Sequence, residues 1–317
     1  MRGASRSNLP KLPDLFGPSA PEDCEHTQYT AVRDYRSRRA AKDALVRIWA
    51  RSWQLHPEAP EPFAREFRKD FPQRSWELYV LDWLKRSGAT LSKTPDKAPD
   101  FHANHPKVGD LWVECVVPNY GTGDDAAQRR PDGQTVSGNA ETLNRVALRY
   151  TSAIFDKLKK INGYRSANIV DANVPVIVAL NQGAIQDSDA YDEHEVPLVA
   201  RVLYGIGDPV LVTGPFADAE RILVPRMPSV KKKSGADVPT QIFLDSKYSP
   251  IAAILVARVS AVDLLMRPRI RQLYLFHNPC AEAPIPVGML PVRGELFVGL
   301  RHRGVVAEYG SFSRRAR

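Results

Sequence analysis

The chain has 317 residues, 43% of them hydrophobic, and carries 44 Lys and Arg against 36 Asp and Glu, a formal net charge of +8. This length favours one large domain with appendages, and the positive charge favours an anionic partner such as nucleic acid. No apolar run approaches membrane-spanning length and the start lacks the apolar core of a secretory signal. The cysteines Cys24, Cys115 and Cys280 form no CxxC pair, which excludes a zinc ribbon and fits a cytoplasmic location.

The first sixty residues are predicted to form an arm followed by a basic helix. Residues 1–28 are rich in Pro, Ser and charge, which predicts an extended or disordered arm. Residues 29–60 are predicted as a basic helical extension, with one helix from about Thr27 to Trp53. Its basic residues, including Arg38 and Arg39, either contact phosphates or form a solvated face on a helix that packs against the core.

Residues 61–285 are predicted to form the main domain. A helix from about Gln73 to Ser87 ends before Gly88 and places its apolar residues on one side. It carries one acid, Glu77, beside that apolar side. A first strand follows at Ala89–Lys93, and the chain then forms a hairpin.

Two acids in this hairpin face each other in the simplest register. Lys107 stands midway between Asp100 and Glu114, and Asn104, Pro106 and Gly109 mark a turn around it. The two acids should therefore lie opposite each other with their side chains on one face. Carboxylates so close repel unless a cation lies between them or one is protonated. Mg²⁺ or Mn²⁺ suits such hard oxygen ligands and can polarise a phosphate.

With Glu77 on the preceding helix, Pro99-Asp100 on one strand and Glu114 on the next, roughly residues 70–182 resemble the PD-(D/E)xK nuclease superfamily. The resemblance implies a restriction-endonuclease-like α/β fold, a mixed β-sheet flanked by helices. It also implies that Asp100 and Glu114 bind the metal and that Glu77 completes the site. The superfamily's Lys stands two residues after the second acid, and it helps to position the attacking water.

Val116 occupies that Lys position, which is a departure from the motif. Some branches of the superfamily carry the Lys on a neighbouring helix, and the candidates here are Lys157 and Arg149 on a helix predicted at about Ala140–Ile161. Eight residues separate the two, which leaves them about 80° apart around that helix. Lys157 is the better replacement, because its ammonium is a compact charge with a readily tuned pKa. A site that has lost activity is the rival interpretation.

Flanking segments complete the predicted domain. The polar loop at about 120–139 should lie at the open edge of the site, where Arg129 and Arg130 could clamp a phosphate. The β-branched run Val174–Asn181 is typical of a strand buried on both faces, which requires helices on each side of the sheet.

The last third of the chain holds strand-like runs that either widen the sheet or form a small separate layer: DPVLVTG, QIFLD, IAAILVARVS and QLYLF. A basic loop contains Lys231, Lys232 and Lys233, which either contact a nucleic acid backbone or form a solvated charge run. Residues 286–317 are predicted as C-terminal strands and a basic tail.

Together these patterns predict a cytoplasmic, Mg²⁺- or Mn²⁺-dependent nuclease that hydrolyses phosphodiester bonds, with DNA favoured over RNA. Asp100 and Glu114 would hold the metal with Glu77, while Lys157, assisted by Arg149, would stabilise charge on the phosphate. A homodimer or an activating partner protein stays open, and no membrane partner is expected. Two alternatives stay open: a catalytically decayed nucleic-acid-binding module on the same fold, and a structural or regulatory protein whose hairpin acids are merely exposed.

Overall fold

The computed structural model describes residues 12–17, 25–56, 58–95, 97–127, 140–185, 198–207, 210–212, 221–223, 226–266, 273–301 and 304–310. The helices in this part are α1 (Thr27–Asp34), α2 (Arg39–Ser52), α3 (Pro60–Lys69), α4 (Phe71–Arg86), α5 (Ala140–Ser166), α6 (Leu198–Tyr204) and α7 (Ala261–Met266). The strands are β1 (Thr90–Ser92), β2 (Phe101–His105), β3 (Gly109–Val116), β4 (Val176–Asn181), β5 (Val210–Val212), β6 (Arg221–Leu223), β7 (Ser229–Lys231), β8 (Asp237–Pro239), β9 (Ala253–Ala257), β10 (Leu273–His277), β11 (Gly294–Arg301) and β12 (Gly304–Gly310).

One mixed sheet of eight strands organises the molecule, in the order β1-β2-β3-β4-β9-β10-β11-β12. Strands β1, β2 and β3 pair antiparallel, whereas β3, β4 and β9 run parallel. Beyond them β10 is antiparallel to β9 and parallel to β11. The predicted mixed α/β class is therefore confirmed.

Helices cover both faces of the central strands. Every residue of β4 is buried. Alternate residues belong to two hydrophobic clusters: Ile177 packs in the cluster that includes residues of α2, α3 and α4, and Val178 packs in the cluster that includes residues of α5 and α6. This alternation is the period of two expected of a strand. The predicted strand buried on both faces is confirmed.

The N-terminal region departs from the prediction. Tyr35 takes an extended conformation (φ −86°, ψ 124°), so the single expected helix is two, α1 and α2. Within the predicted disordered arm, Leu15 and Phe16 are buried, and the ring of Phe16 stacks on Tyr29 at 5.3 Å between centroids and meets Phe67 edge-on at 5.5 Å. Apolar contact therefore holds residues 12–17 against the core, whereas 1–11 and 18–24 lie outside the described residues.

The segments predicted as appendages contact the main core. Leu45 and Trp49 of α2 share one hydrophobic cluster with Trp76 of α4 and Val113 of β3, as expected if this basic helix packs against the core. Strand β11 pairs with β10 and therefore widens the main sheet beyond residue 285. The boundaries predicted at 60 and 285 stay predictions.

The strand-like runs of the last third of the chain do not all form strands of one sheet. β9 and β10 widen the main sheet, and β5 pairs with β6 in a two-stranded sheet. The run QIFLD is not a strand: Ile242–Leu244 form a 3-10 turn that follows Gln241, whose φ of 65° is left-handed. Within the described ranges, no helix is both long and apolar enough to cross a membrane.

Gly183 occupies a point of close backbone approach behind the end of β4. A Cβ there would lie 2.1 Å from the Ser260 nitrogen, which belongs to backbone and cannot rotate away. Gly183→Ala should therefore reduce the free energy of unfolding by about 1–3 kcal/mol. Gly163→Ala, in α5 with nothing within 4 Å of its Cβ, should raise it by about 0.5–1 kcal/mol. Urea denaturation measures both, and equal effects of the two variants would contradict this account.

Candidate active site

The site lies where the start of β2 meets the ends of β3 and β4. β3 and β4 are parallel and β2 is antiparallel to β3, so these three ends lie at one edge of the sheet. Phe101 pairs with Val113 and His105 with Gly109. Continuing this register by one residue beyond β2 places Asp100 opposite Glu114, in agreement with the predicted register.

Asp100 is partly buried just before β2 begins. Its Oδ2 accepts a hydrogen bond of 2.6 Å from the backbone N–H of Cys115, which ties the acid to the neighbouring strand. Burial raises the pKa of Asp100 well above its usual value, and the negative charges of Glu114 and Glu77 raise it further. The positive charge of Lys157 and the Cys115 N–H oppose this shift without cancelling it.

Glu114 is buried and lies beside two ammonium groups of α5. Its Oε1 is 2.7 Å from Nζ of Lys157 and 3.5 Å from Nζ of Lys160. Its Oε2 is also buried and accepts no hydrogen bond from the described residues. Burial lowers the pKa of Lys157, but Glu114 and Asp100 outweigh burial and the net pKa is raised, so Lys157 is protonated at neutral pH.

The side of the sheet that Glu114 faces explains why a helix supplies this lysine. Trp112 and Val116 pack in the α5 cluster, while Val113 and Cys115 pack in the α4 cluster. Glu114 therefore points towards α5, as alternation along β3 requires. Val116 fills the position of the missing Lys with an apolar contact, and Lys157 brings an ammonium to the same face from α5.

Glu77 lies in a separate network of polar contacts. Its Oε1 accepts from Gln73 at 2.9 Å, and its Oε2 accepts from Arg74 at 3.0 Å and lies 3.5 Å from His56 Nε2. Burial raises the pKa of Glu77, but the hydrogen bond from His56 and the charge of Arg74 outweigh it and lower the pKa to about 2. Glu77 is close enough to influence Asp100, but its described contacts are to these three residues. Its part in a metal site stays a prediction.

Three residues around the acids were not identified from the sequence. Gln73 joins α4 to β3, because it donates to the carbonyl of Cys115 at 3.2 Å and accepts from the N–H of Val117 at 2.9 Å. Gln73 precedes Glu77 by four residues, and this helical spacing is the sequence pattern that could have indicated their contact. The other two lie on α5: Lys160 is three residues after Lys157, and Tyr164 is seven residues after it. Burial, followed by the charges of Glu114 and Asp100, raises the pKa of Tyr164 to about 12.

Arg149 holds the loop after β3 and makes no described contact with the acids. Its Nε donates to the carbonyl of Asn119 at 3.0 Å, and a second nitrogen donates to the Asn119 side chain at 3.1 Å. Gly121 permits this contact, because any Cβ there would lie 2.6 Å from the guanidinium and its φ is +78°. Arg149 also lines an open cleft of about 810 Å³ beside Gly183 and Pro72. Its predicted assistance in catalysis therefore stays a prediction.

The other basic residues predicted to contact nucleic acid differ in their surroundings. Arg129 and Arg130 lie outside the described residues. The remaining ones mostly have carboxylate neighbours: Arg38 with Asp263 at 2.9 Å, Arg39 with Asp43 at 3.9 Å, Lys231 with Asp237 at 3.2 Å and Lys233 with Asp124 at 3.8 Å. Lys232 is exposed and forms no ion pair with the described residues.

A divalent cation fits the donor set of the two strand acids. Asp100 and Glu114 offer hard carboxylate oxygens, and Glu114 Oε2 is a buried acceptor without a hydrogen bond from the described residues. The raised pKa of Asp100 reflects burial and repulsion that a cation would relieve. In the described part of the chain, no group of three or more His, Cys, Asp or Glu side chains is arranged to hold a metal. Among the described residues, the acids best placed for such a site are therefore Asp100 and Glu114.

Comparison with known proteins adds no relative. Protein-family models do not match this chain, and neither curated proteins nor solved structures provide a match. The fold and the site themselves define a mixed α/β protein with paired carboxylates and a buried lysine at one edge of its sheet.

Proposed function

We propose that this protein is a metal-dependent nuclease with a restriction-endonuclease-like core, which hydrolyses phosphodiester bonds in DNA. The observation that supports this most strongly is the meeting of Asp100, Glu114 and Lys157. Two acids from adjacent strands face each other, and an ammonium from α5 lies 2.7 Å from one of them. Proteins rarely bury such charges without a partner, and clusters of this kind concentrate at functional sites.

The fold supports the same proposal. Helix α4, the strands β1 to β3, the long helix α5 and the parallel strand β4 follow each other in the order expected from the sequence. The 810 Å³ cleft lined by Pro118–Thr122 includes the loop that follows β3 and residues that follow β4, at the same edge of the sheet as the acids, although the acids themselves do not line it.

Asp100 and Glu114 would hold Mg²⁺ or Mn²⁺, which when bound polarises a phosphate and lowers the pKa of a water. Lys157 keeps its proton at neutral pH and places a positive charge where charge develops on the phosphate. Glu114 orients Lys157 through the 2.7 Å contact, and Gln73 holds the end of β3 that bears Glu114.

A second candidate is a binding module that has lost catalysis. Val116 in the usual Lys position favours it, because an apolar side chain cannot orient water. Such a module would bind nucleic acid equally well in Mg²⁺ and in EDTA, and it would hydrolyse nothing.

Cleavage of plasmid and single-stranded DNA with Mg²⁺, Mn²⁺ or EDTA tests the proposal. We expect metal-dependent cutting that falls by at least ~10²-fold in Asp100→Asn, because the variant removes a charge from the metal site. Asp110→Asn is the matched control, since this carboxylate lies on the same hairpin but is exposed and bonds Asn104. No cutting by the native protein, together with binding that is insensitive to metal, would overturn the nuclease and support the binding module.

A further inference from the structure

A basic groove of about 320 Å³ lies between α2, α4 and α7. Along α4 it is lined by residues from Tyr79 to Arg86, whereas Gln73 and Glu77 belong to the other end of that helix. At 1.5 Å per residue, Lys85 is about 12 Å further along the axis than Glu77. The α2–α4 groove, as we call it, combines apolar lining with four cations: Arg47, Arg51, Lys85 and Arg86.

Every acid on the three helices that form the groove already has a basic partner. The pairs are Asp43 with Arg39 at 3.9 Å, Glu77 with Arg74 at 3.0 Å, Asp82 with Arg86 at 2.7 Å and Asp263 with Arg38 at 2.9 Å. Of the four groove cations, only Arg86 is part of one of these pairs.

Three cations of the groove therefore lack a carboxylate among the described residues. Arg47 and Arg51 are exposed, and Lys85 donates to neutral oxygens, the Ser52 hydroxyl at 3.3 Å and the Arg51 carbonyl at 3.5 Å. Such a concentration of like charge is unfavourable until an anion arrives.

The spacing of these cations suits an extended chain of phosphates. Arg47 and Arg51 are four residues apart, so they share one face of α2 and lie about 6 Å apart along its axis. Ile48 and Leu264 form an apolar floor between the cations, against which the long stems of arginine can pack. An anion held there contacts several donors at once.

We propose that the α2–α4 groove binds the phosphate backbone of a nucleic acid, as a second contact apart from the paired acids. The choice of nucleic acid rests on the proposed function, whereas the anionic character of the ligand rests on the groove alone. The groove adds affinity without reading sequence, because phosphate contacts position a nucleic acid and do not specify it.

The test is binding of a labelled DNA duplex in EDTA, which prevents metal-dependent cleavage, between about 50 and 200 mM salt. Arg47→Gln/Arg51→Gln should lower the slope of log affinity against log salt by about 1.8, because each lost phosphate contact removes about 0.9. Its affinity at ~0.1 M salt should fall on the order of 10-fold. Asp82→Asn, in the same groove, should change affinity in the opposite direction, because it leaves Arg86 without its carboxylate.

Lys107→Gln/Lys159→Gln removes the same charge from exposed positions outside the groove, and it should leave the slope within about 0.3 of the native value. Thermal melts confirm that each variant is folded. An equal change of slope in both double variants, or no DNA binding by the native protein, would overturn the groove. If DNA binds through the groove but is never cut in Mg²⁺, the result supports phosphate binding in the groove and contradicts the proposed nuclease activity.

Discussion

Lys157→Met should slow metal-dependent cleavage by about 10²- to 10³-fold, the loss typical when one preorganised group that stabilises developing charge is removed. The ammonium of Lys157 lies 2.7 Å from Glu114 and is largely buried, so no solvent cation matches its position. Lys160 cannot replace it directly, because its ammonium is 3.5 Å from the same oxygen and its side chain is 57% exposed.

The same substitution should tighten the binding of Mn²⁺ several-fold. The Lys157 ammonium and a divalent cation compete for Glu114, so removing the ammonium frees the carboxylate for the metal. Isothermal titration with Mn²⁺ measures this, and single-turnover cleavage measures the rate. Weaker metal binding in Lys157→Met would contradict competition, and an unchanged rate would remove Lys157 from the mechanism.

Lys159→Met is the control for both measurements. It removes an identical group from the same helix, but its ammonium is exposed and lies near Asp156 at 3.8 Å. We expect its cleavage rate and its affinity for Mn²⁺ to stay within about 2-fold of the native values, as for surface substitutions in general.

Glu77→Gln and Asp100→Asn should change stability in opposite directions when no metal is present. Glu77 is ionised and paired with Arg74, so removing its charge weakens the surroundings of this partly buried guanidinium, which keeps Glu58 at 2.8 Å, and should cost about 1–3 kcal/mol. Asp100 has a raised pKa, so its charge is unfavourable in the fold. Asp100→Asn should therefore stabilise the metal-free protein by about 0.5–2 kcal/mol, as replacement of a strained functional residue often does.

The pH dependence of the native protein follows from the same two shifts. The pKa of Glu77 falls from 4.5 to about 2 on folding. Its carboxylate therefore adds fully to the free energy of unfolding above about pH 4.5, and this stabilisation is lost as the pH falls towards 2. The pKa of Asp100 is raised above 3.8, so stability decreases as the pH rises from 3.8 through the raised value.

Urea denaturation in EDTA from pH 3 to 8 measures both slopes. The low-pH slope should be smaller in Glu77→Gln, and the decrease at higher pH should be smaller in Asp100→Asn; other acids with shifted pKa values, such as Asp70, contribute what remains. Mg²⁺ should raise the free energy of unfolding of the native protein more than that of the Asp100→Asn variant, because a ligand that binds the folded state stabilises it. Destabilisation by Asp100→Asn would show that its carboxylate is structural rather than part of an ion site.

The sequence predicted those parts of the site that depend on local pairing. The register of Asp100 and Glu114 follows from a short turn around Lys107, and one strand period decides that Glu114 and Val116 share a face. Lys157 could be proposed because the apolar residues of α5 recur at helical spacing, which places that lysine at their border.

Contacts between distant elements could not be predicted in the same way. His56 approaches Glu77 only because α3 and α4 pack together, and no spacing along the chain indicates that contact. The Pro, Ser and charge content of residues 1–28 predicts a disordered arm there, and the partners that bury Phe16, Tyr29 and Phe67, come later in the chain. Propensity did not predict the break at Tyr35 either, since tertiary packing decides such boundaries.

The packing of Phe16 has a consequence for any attempt to shorten this protein. The aromatic cluster that Phe16 joins also includes Phe71, the first residue of α4, with its ring centroid 6.4 Å away. From there, Gln73 reaches the end of β3 beside the acids. A variant trimmed to begin at residue 29 would open a cavity at the base of the helix that braces the site. The minimal unit for expression therefore includes Leu15 and Phe16.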